Sequence, residues 1–177
     1  MPGERGSPAT DGVLGHYGIG VLSDTHGRVA RVHAAADLLA RRGVSTVVHC
    51  GDITGPDVVE ALAGLEVHWV LGNCDLDEST LRAAMARLGH TCHGVRGEIT
   101  VDGCTIAFTH GHRVGVLDAL VVARQHDVVL HGHTHERRDV VVNGTRVLCP
   151  GALHAAAPPT FAILQPPDLT VEWVELV

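Results

Sequence analysis

The sequence predicts an α/β fold in which two sheets pack together with helices outside. Three observations carry this. Short apolar strands alternate with helical patterns through the first half of the 177-residue chain. The second half changes to short strand segments around Asp102-Gly103 and Asn143-Gly144, both hairpin signals. Apolar residues make up 45% of the chain and charged residues 19%, with a mean hydropathy of +0.18, which fits one folded domain rather than a disordered chain.

Gly18 to Leu22 reads as a short buried strand. Val29 to Arg42 places Val32, Ala35, Ala36 and Leu39 on one helical face, and Gly43 stops it. Thr46 to His49 is a second strand, Pro56 to Ala63 a helix with Pro56 in its first turn, and Val67 to Leu71 a third strand. Ser79 begins or caps a helix that runs to about Leu88 and ends at Gly89. Glu98 to Val101 and Thr105 to Phe108 flank the first hairpin turn. Val114 to Gln125 is a helix and Val128 to Leu130 a strand. Val140 to Val142 and Arg146 to Leu148 flank the second turn, and Thr160 to Leu164 and Leu169 to Glu175 are the last strands. Residues 1–16, rich in Gly, Pro, Ser and charge, predict a flexible tail, leaving 17–177 as the domain.

Composition narrows the function classes. All 13 basic residues are Arg, and against 20 acidic residues they leave a net charge of -7. That argues against a broad nucleic-acid face, so extended nucleic acid is not expected as a partner. A small phosphate substrate stays open, because bound cations reverse the local charge. No run of 18 apolar residues predicts a membrane helix. The five cysteines, Cys50, Cys74, Cys92, Cys104 and Cys149, form no CxxC pair. An odd count without an apolar leader reads as reduced thiols in a cytoplasmic protein, mostly small core fillers. Assembly as a homo-oligomer is left open.

Polar residues gather directly after the apolar strands. Ser23-Asp24-Thr25-His26 follows the first, Gly51-Asp52 the second and Gly72-Asn73-Cys74-Asp75 the third. Thr109-His110-Gly111-His112 follows Phe108, and His131-Gly132-His133-Thr134-His135 follows Leu130. Strand ends are where α/β sheets form their sites. Taken singly, each cluster has a bland explanation, a Gly-Asp turn above all. Together, Asp24, His26, Asp52, Asn73, His110, His133 and His135 form a mixed oxygen and imidazole donor set. It suits Mn, Fe, Ni, Co or Zn better than Ca or Mg. His112 and His131 stand beside them as further ligands, as donors behind the ligands or as structural histidines.

With these five motifs in this order, residues 18 to 176 resemble the calcineurin-like metallophosphoesterase superfamily. More narrowly they resemble its small bacterial and archaeal phosphodiesterase branch, to which the eukaryotic retromer scaffold subunit is related. The resemblance implies a four-layer α/β/β/α sandwich with two divalent metal ions at the strand ends. It implies Asp24, His26 and His135 on the first ion, Asp52 as the bridge, and Asn73, His110 and His133 on the second, with manganese the first metal expected. Many relatives carry His after the third-motif Asn, where it helps neutralise the phosphate or protonate the leaving group; Cys74 stands there instead. The family's Asn-Pro-Gly-Ser turn reads Cys149-Pro150-Gly151-Ala152, keeping the turn and losing two polar side chains.

The expected function is therefore hydrolysis of a small phosphate ester, a phosphodiester first, by a metal-activated water attacking phosphorus directly. Asp52, Asn73 and His110 are the expected catalytic set. Cys74 is assigned packing, and Cys74 and His112 are the candidates for contact with substrate or with the ligands from behind. Two alternatives stand: a phosphomonoesterase, and a non-enzymatic protein-interaction scaffold of the same fold.

Overall fold

A computed structural model describes residues 18–177. The tail expected at residues 1–16, and residue 17 of the expected domain, lie outside the described residues. The elements run β1 (Ile19–Leu22), α1 (Val29–Arg41), β2 (Thr46–His49), α2 (Pro56–Glu60), β3 (Glu66–Val70), α3 (Glu78–Arg87) and β4 (Thr91–Gly94). They continue with β5 (Arg96–Val101), β6 (Cys104–Thr109), α4 (Val116–Ala123), β7 (Val128–Leu130), β8 (Arg137–Val142), β9 (Thr145–Pro150), β10 (Thr160–Gln165) and β11 (Thr170–Glu175).

The strands form two sheets. One is six-stranded in the order β11-β10-β1-β2-β3-β4, the other five-stranded in the order β5-β6-β7-β9-β8. β1 to β4 are mutually parallel, as are β6, β7 and β9, while the chain's last two strands and the hairpins pair antiparallel. The parallel strands β1, β2 and β7 are buried on both faces, which explains their largely apolar runs.

Three apolar clusters separate four layers. Ile19, Val21, Val48 and Val70 of the first sheet meet Ile106, Phe108, Val128, Leu130 and Leu148 of the second. On the outer face of the first sheet, Val47, Trp69 and Leu22 pack under Val32, Ala35 and Leu39 of α1, Val58 and Val59 of α2 and Leu81 and Met85 of α3. Gly20 leaves the space that Leu39 fills, since a Cβ there would press on both Leu39 methyls. Ala107, Val129 and Val147 pack under Leu120 and Val121 of α4. The α/β/β/α sandwich is thus the observed architecture.

Four local departures have physical causes. β4 was not anticipated, because Thr91-Cys92-His93-Gly94 has no apolar alternation; it is a parallel edge strand recruited by β3. α2 ends at Glu60, short of Ala63, and turns through residues 61–64 to Gly64 at φ 86°. α3 is capped by Asp77 rather than Ser79: the Asp77 carboxylate accepts from the Thr80 N–H at 3.1 Å. β8 begins at Arg137, its charged first half being an exposed edge. Both hairpin turns hold the two positive-φ residues that a type I′ turn requires, Asp102 and Gly103 at 48° and 81°, and Asn143 and Gly144 at 52° and 85°.

Candidate metal centre

The five polar clusters follow β1, β2, β3, β6 and β7, and backbone bonds tie them into one surface. Asp24 N–H donates to Gly51 O (3.0 Å), His26 N–H to Asp52 O (2.9 Å) and Gly132 N–H to His110 O (3.0 Å). Two groups of donor atoms result. In the first, Asp24 Oδ1 lies 3.1 Å from His135 Nε2 and 4.0 Å from His26 Nε2. In the second, His110 Nε2 lies 3.2 Å from Asn73 Oδ1. Asp52 Oδ2 adjoins both, 3.4 Å from His26 Nε2 and 3.5 Å from His110 Nε2, and Asp24 also offers a carboxylate oxygen within 4.8 Å of donor atoms of Asp52 and His110. The exposed His133 lies beside the second group, its ring centroid 5.1 Å from that of His110.

The hydrogen bonds assign the electron pairs. His110 Nδ1 is 2.7 Å from Cys50 O, and a carbonyl only accepts, so Nδ1 carries a proton, and in the neutral ring that a metal ion requires Nε2 presents the lone pair. Nε2 faces two oxygens, Asn73 Oδ1 and Asp52 Oδ2: burial opposes a second proton there, but Asp52 outweighs it and raises the ring's pKa, and a cation can take that proton's place. Asp24 Oδ2 accepts from Ser23 Oγ (2.5 Å) and from His133 N–H (3.0 Å), while Asp24 Oδ1 and His26 Nε2 are buried without a hydrogen-bond partner. Asp52 Oδ1 accepts the Cys74 N–H at 2.8 Å, leaving Oδ2 to the two groups. Burial alone would raise the Asp52 carboxyl, but the His110 ring and the Cys74 N–H outweigh it and hold the group well below the usual carboxylate range. These donors fit divalent cations.

The backbone is strained where the donors sit. Asp24, His26, Asp52, His133 and His135 have φ of 52°, 40°, 56°, 70° and 59°, a region that costs a non-glycine residue about 1–3 kcal/mol. Surrounding groups hold it. The Asp75 carboxylate accepts four backbone N–H bonds: from Asp52 (3.0 Å), Ile53 (2.6 Å), Thr54 (2.8 Å) and Gly72 (2.7 Å). His49 accepts the Gly51 N–H at Nδ1 (3.2 Å) and faces Thr25 Oγ1 with Nε2 (3.2 Å). Its burial, with His110 nearby, lowers its pKa to about 3, so it stays neutral. Gly132 and Gly72 are required by space: a Cβ on the first would collide with Ser23 Oγ and Asp24 Oδ2, and on the second with Asp52.

All seven expected ligands thus meet at one end of the sandwich. His112 lies beside them, its ring 5.3 Å from that of His110, and burial and His110 lower its pKa. His131 is buried and its Nδ1 faces Gly132 O (3.0 Å), so it backs the turn. Cys74 departs from the packing role: it is half-buried, and its sulfur accepts from Asn73 Nδ2 (3.3 Å), which turns Asn73 Oδ1 toward His110. Cys50, Cys149 and Ala152 are buried, as small apolar residues allow. Sequence reasoning missed the supporting roles of Ser23, His49 and Asp75, and missed His154 altogether. Asp75 carried a signal, an acid directly after the Asn-Cys pair; His154 carried none.

The calcineurin-like phosphoesterase superfamily domain model matches residues 18–168. A phosphodiesterase of Methanocaldococcus jannaschii is 29% identical over 153 residues, covering 82% of this chain and 91% of its own. The structure of an archaeal phosphodiesterase superposes with a TM-score of 0.82 at 27% identity, covering 89% of this chain and 99% of its own. Vacuolar protein sorting 29 of Cryptosporidium parvum superposes with a TM-score of 0.60 at 20% identity, covering 89% of this chain and 96% of its own, a likeness of fold alone.

Proposed function

The chain belongs to the calcineurin-like phosphoesterase superfamily, and from that premise we propose that it is a dinuclear metal-dependent phosphodiesterase acting on a small phosphate diester. The observation that carries this is the position of Asp52 Oδ2, within 3.5 Å of a ring nitrogen of each donor group. A carboxylate oxygen between two imidazole groups suits a bridge between two cations. Asp24, His26 and His135 complete one site and Asn73, His110 and His133 the other. Manganese is the first metal expected, with iron, nickel, zinc or cobalt compatible with the same donors.

Bound divalent ions would supply Lewis acidity toward the phosphoryl oxygens and lower the pKa of an attacking water. The protein's part is to hold the geometry before substrate arrives. Asp52 joins the two halves through Oδ2 while Oδ1 is anchored to the Cys74 N–H. The Nδ1–H···O=C bond of His110 to Cys50 keeps the ring in the tautomer whose Nε2 faces the site. Asn73, exposed at the rim with Oδ1 directed inward, would hold an ion through that oxygen. The likeness to phosphodiesterases favours diesters over monoesters. The exposed rim of Asn73 and His133 suits a small substrate in an open site. Among the described residues no helix is long and apolar enough to cross a membrane. The five free cysteines suit the cytoplasm.

The test compares bis(4-nitrophenyl) phosphate with 4-nitrophenyl phosphate at equal concentration, with manganese added. Faster turnover of the diester is expected. A strong monoester preference would make the protein a phosphomonoesterase. No turnover of either ester by folded protein, across manganese, iron, nickel, zinc and cobalt, would leave the scaffold reading.

A further inference from the structure

His154 lies in the loop between β9 and β10, outside all five motifs, yet the fold brings it to the centre. Its N–H donates to Asp24 O (3.0 Å), and the preceding Leu153 N–H donates to Ser23 O (3.3 Å). Its ring centroid is 4.7 Å from that of His26 and 6.2 Å from that of His135. Arg28 Nε donates to His154 Nδ1 at 3.0 Å. A guanidinium only donates, so Nδ1 is unprotonated and the proton of the neutral ring sits on Nε2. Arg31, one helical turn on, donates to Leu153 O and ties the loop to α1.

His26 is also flanked by Cys74, whose sulfur groups with ring nitrogen of His26 and a carboxylate oxygen of Asp52 within 4.8 Å. The Cys74 sulfur accepts from Asn73 Nδ2. His154 brings an imidazole to the same neighbour, His26, from a different loop. A concavity of about 420 Å³, lined by Gly27, Arg28, Val29, Ala30 and Arg31, adjoins the ring through Arg28.

We propose that His154, held in the Nε2–H tautomer by Arg28, is a catalytic residue that donates a hydrogen bond to the leaving-group oxygen of the diester. The inference rests on the phosphodiesterase reading above. The donor stabilises negative charge that develops on that oxygen as the phosphorus–oxygen bond breaks, so its contribution grows as the alcohol becomes a poorer leaving group. Arg28 is a positioning residue acting through the ring.

The experiment measures kcat/KM of the parent, His154→Ala, His154→Gln and Arg28→Ala on two aryl diesters, one leaving as 4-nitrophenol and one as phenol, with metal content and Tm alongside. His154→Ala is expected to lose about tenfold to a hundredfold on the phenyl ester, and clearly less on the 4-nitrophenyl ester. His154→Gln, which keeps a donor, recovers part of the difference, and Arg28→Ala falls between. Equal losses on the two esters, no loss, or a loss explained by lower metal content or Tm overturns the proposal. A parent inactive on both esters sinks the phosphodiesterase reading as well; an active parent with unaffected variants sinks this inference alone. Independently of activity, nitrogen NMR of the zinc-loaded protein should show His154 protonated at Nε2 only, with both tautomers in Arg28→Ala. A proton on Nδ1 in the parent contradicts the assignment.

Discussion

The loop after β2 and the loop after β7 both bring donors to one centre, and they are held in opposite ways. Asp52 is 2% exposed, and its segment hangs from Asp75, which accepts the N–H groups of residues 52, 53 and 54 and reaches Gly72 after β3 as well. The exposed His133 and half-buried His135 sit on a turn linked inward by the His133 N–H to Asp24 Oδ2, the Gly132 N–H to His110 O and the Thr134 hydroxyl beside the Cys149 sulfur. The difference follows from charge. A buried carboxylate needs donors on every oxygen that does not face a cation, so its loop must be built beforehand. A neutral imidazole tolerates water and can be offered from a turn. The β2–β3 side should therefore couple catalysis to stability, and the β7 side should not.

The largest effect expected is on catalysis. Asp52→Asn should lower kcat/KM on an aryl diester by about 10²–10³-fold while the protein stays folded, because the amide keeps the shape and brings no charge. Elemental analysis should find less metal than in the parent. Near-parent activity with both ions retained would remove Asp52 from its bridging role.

The next effect is on stability against pH. His49 has a folded pKa of about 3, below its ordinary value near 6.5, so between those values the unfolded chain binds a proton that the folded one does not. Its stabilising contribution is complete above about pH 6.5 and declines as pH falls toward 3, by on the order of 4 kcal/mol across the window. His49→Gln removes the titration, and urea melts from pH 7 to pH 4 should be flatter for the variant. Parallel profiles would contradict the buried neutral ring.

Asp75→Ala against His133→Ala tests the contrast directly. The first strands four N–H donors and should cost about 3 kcal/mol of unfolding free energy, read from the urea midpoint. His133→Ala should stay within about 0.5 kcal/mol of the parent in stability and lose about tenfold or more in activity. Equal stabilities would erase the distinction between the loops. Cys74→Ser carries the smallest effect, because a hydroxyl also accepts from Asn73 Nδ2; diesterase activity should stay within about threefold of the parent.

Much of this was legible in the sequence. The apolar strands, the switch to hairpins at Asp102-Gly103 and Asn143-Gly144, and the seven donors each occupy a local pattern that the fold keeps. What escaped was set by neighbours distant in the chain. β4 forms because β3 offers an edge, and Thr91-Cys92-His93-Gly94 has no pattern of its own. Asp75 works through four N–H groups, three of them more than 20 residues away in the chain. Cys74 looked like a filler because a thiol in an apolar chain usually is one, and only the Asn73 amide beside it shows otherwise. His154 reaches Arg28 across 126 positions, a distance that no motif spans.

The central claim is that two groups of donors share Asp52 and take two ions together. It is tested most directly by titrating metal-stripped protein with manganese while following bound metal per chain and hydrolysis of bis(4-nitrophenyl) phosphate. The account predicts two ions bound per chain, negligible hydrolysis before metal is added, and activity that rises to its plateau only as the second ion binds. Full hydrolysis by metal-free protein, or a plateau reached with a single ion bound, would contradict it.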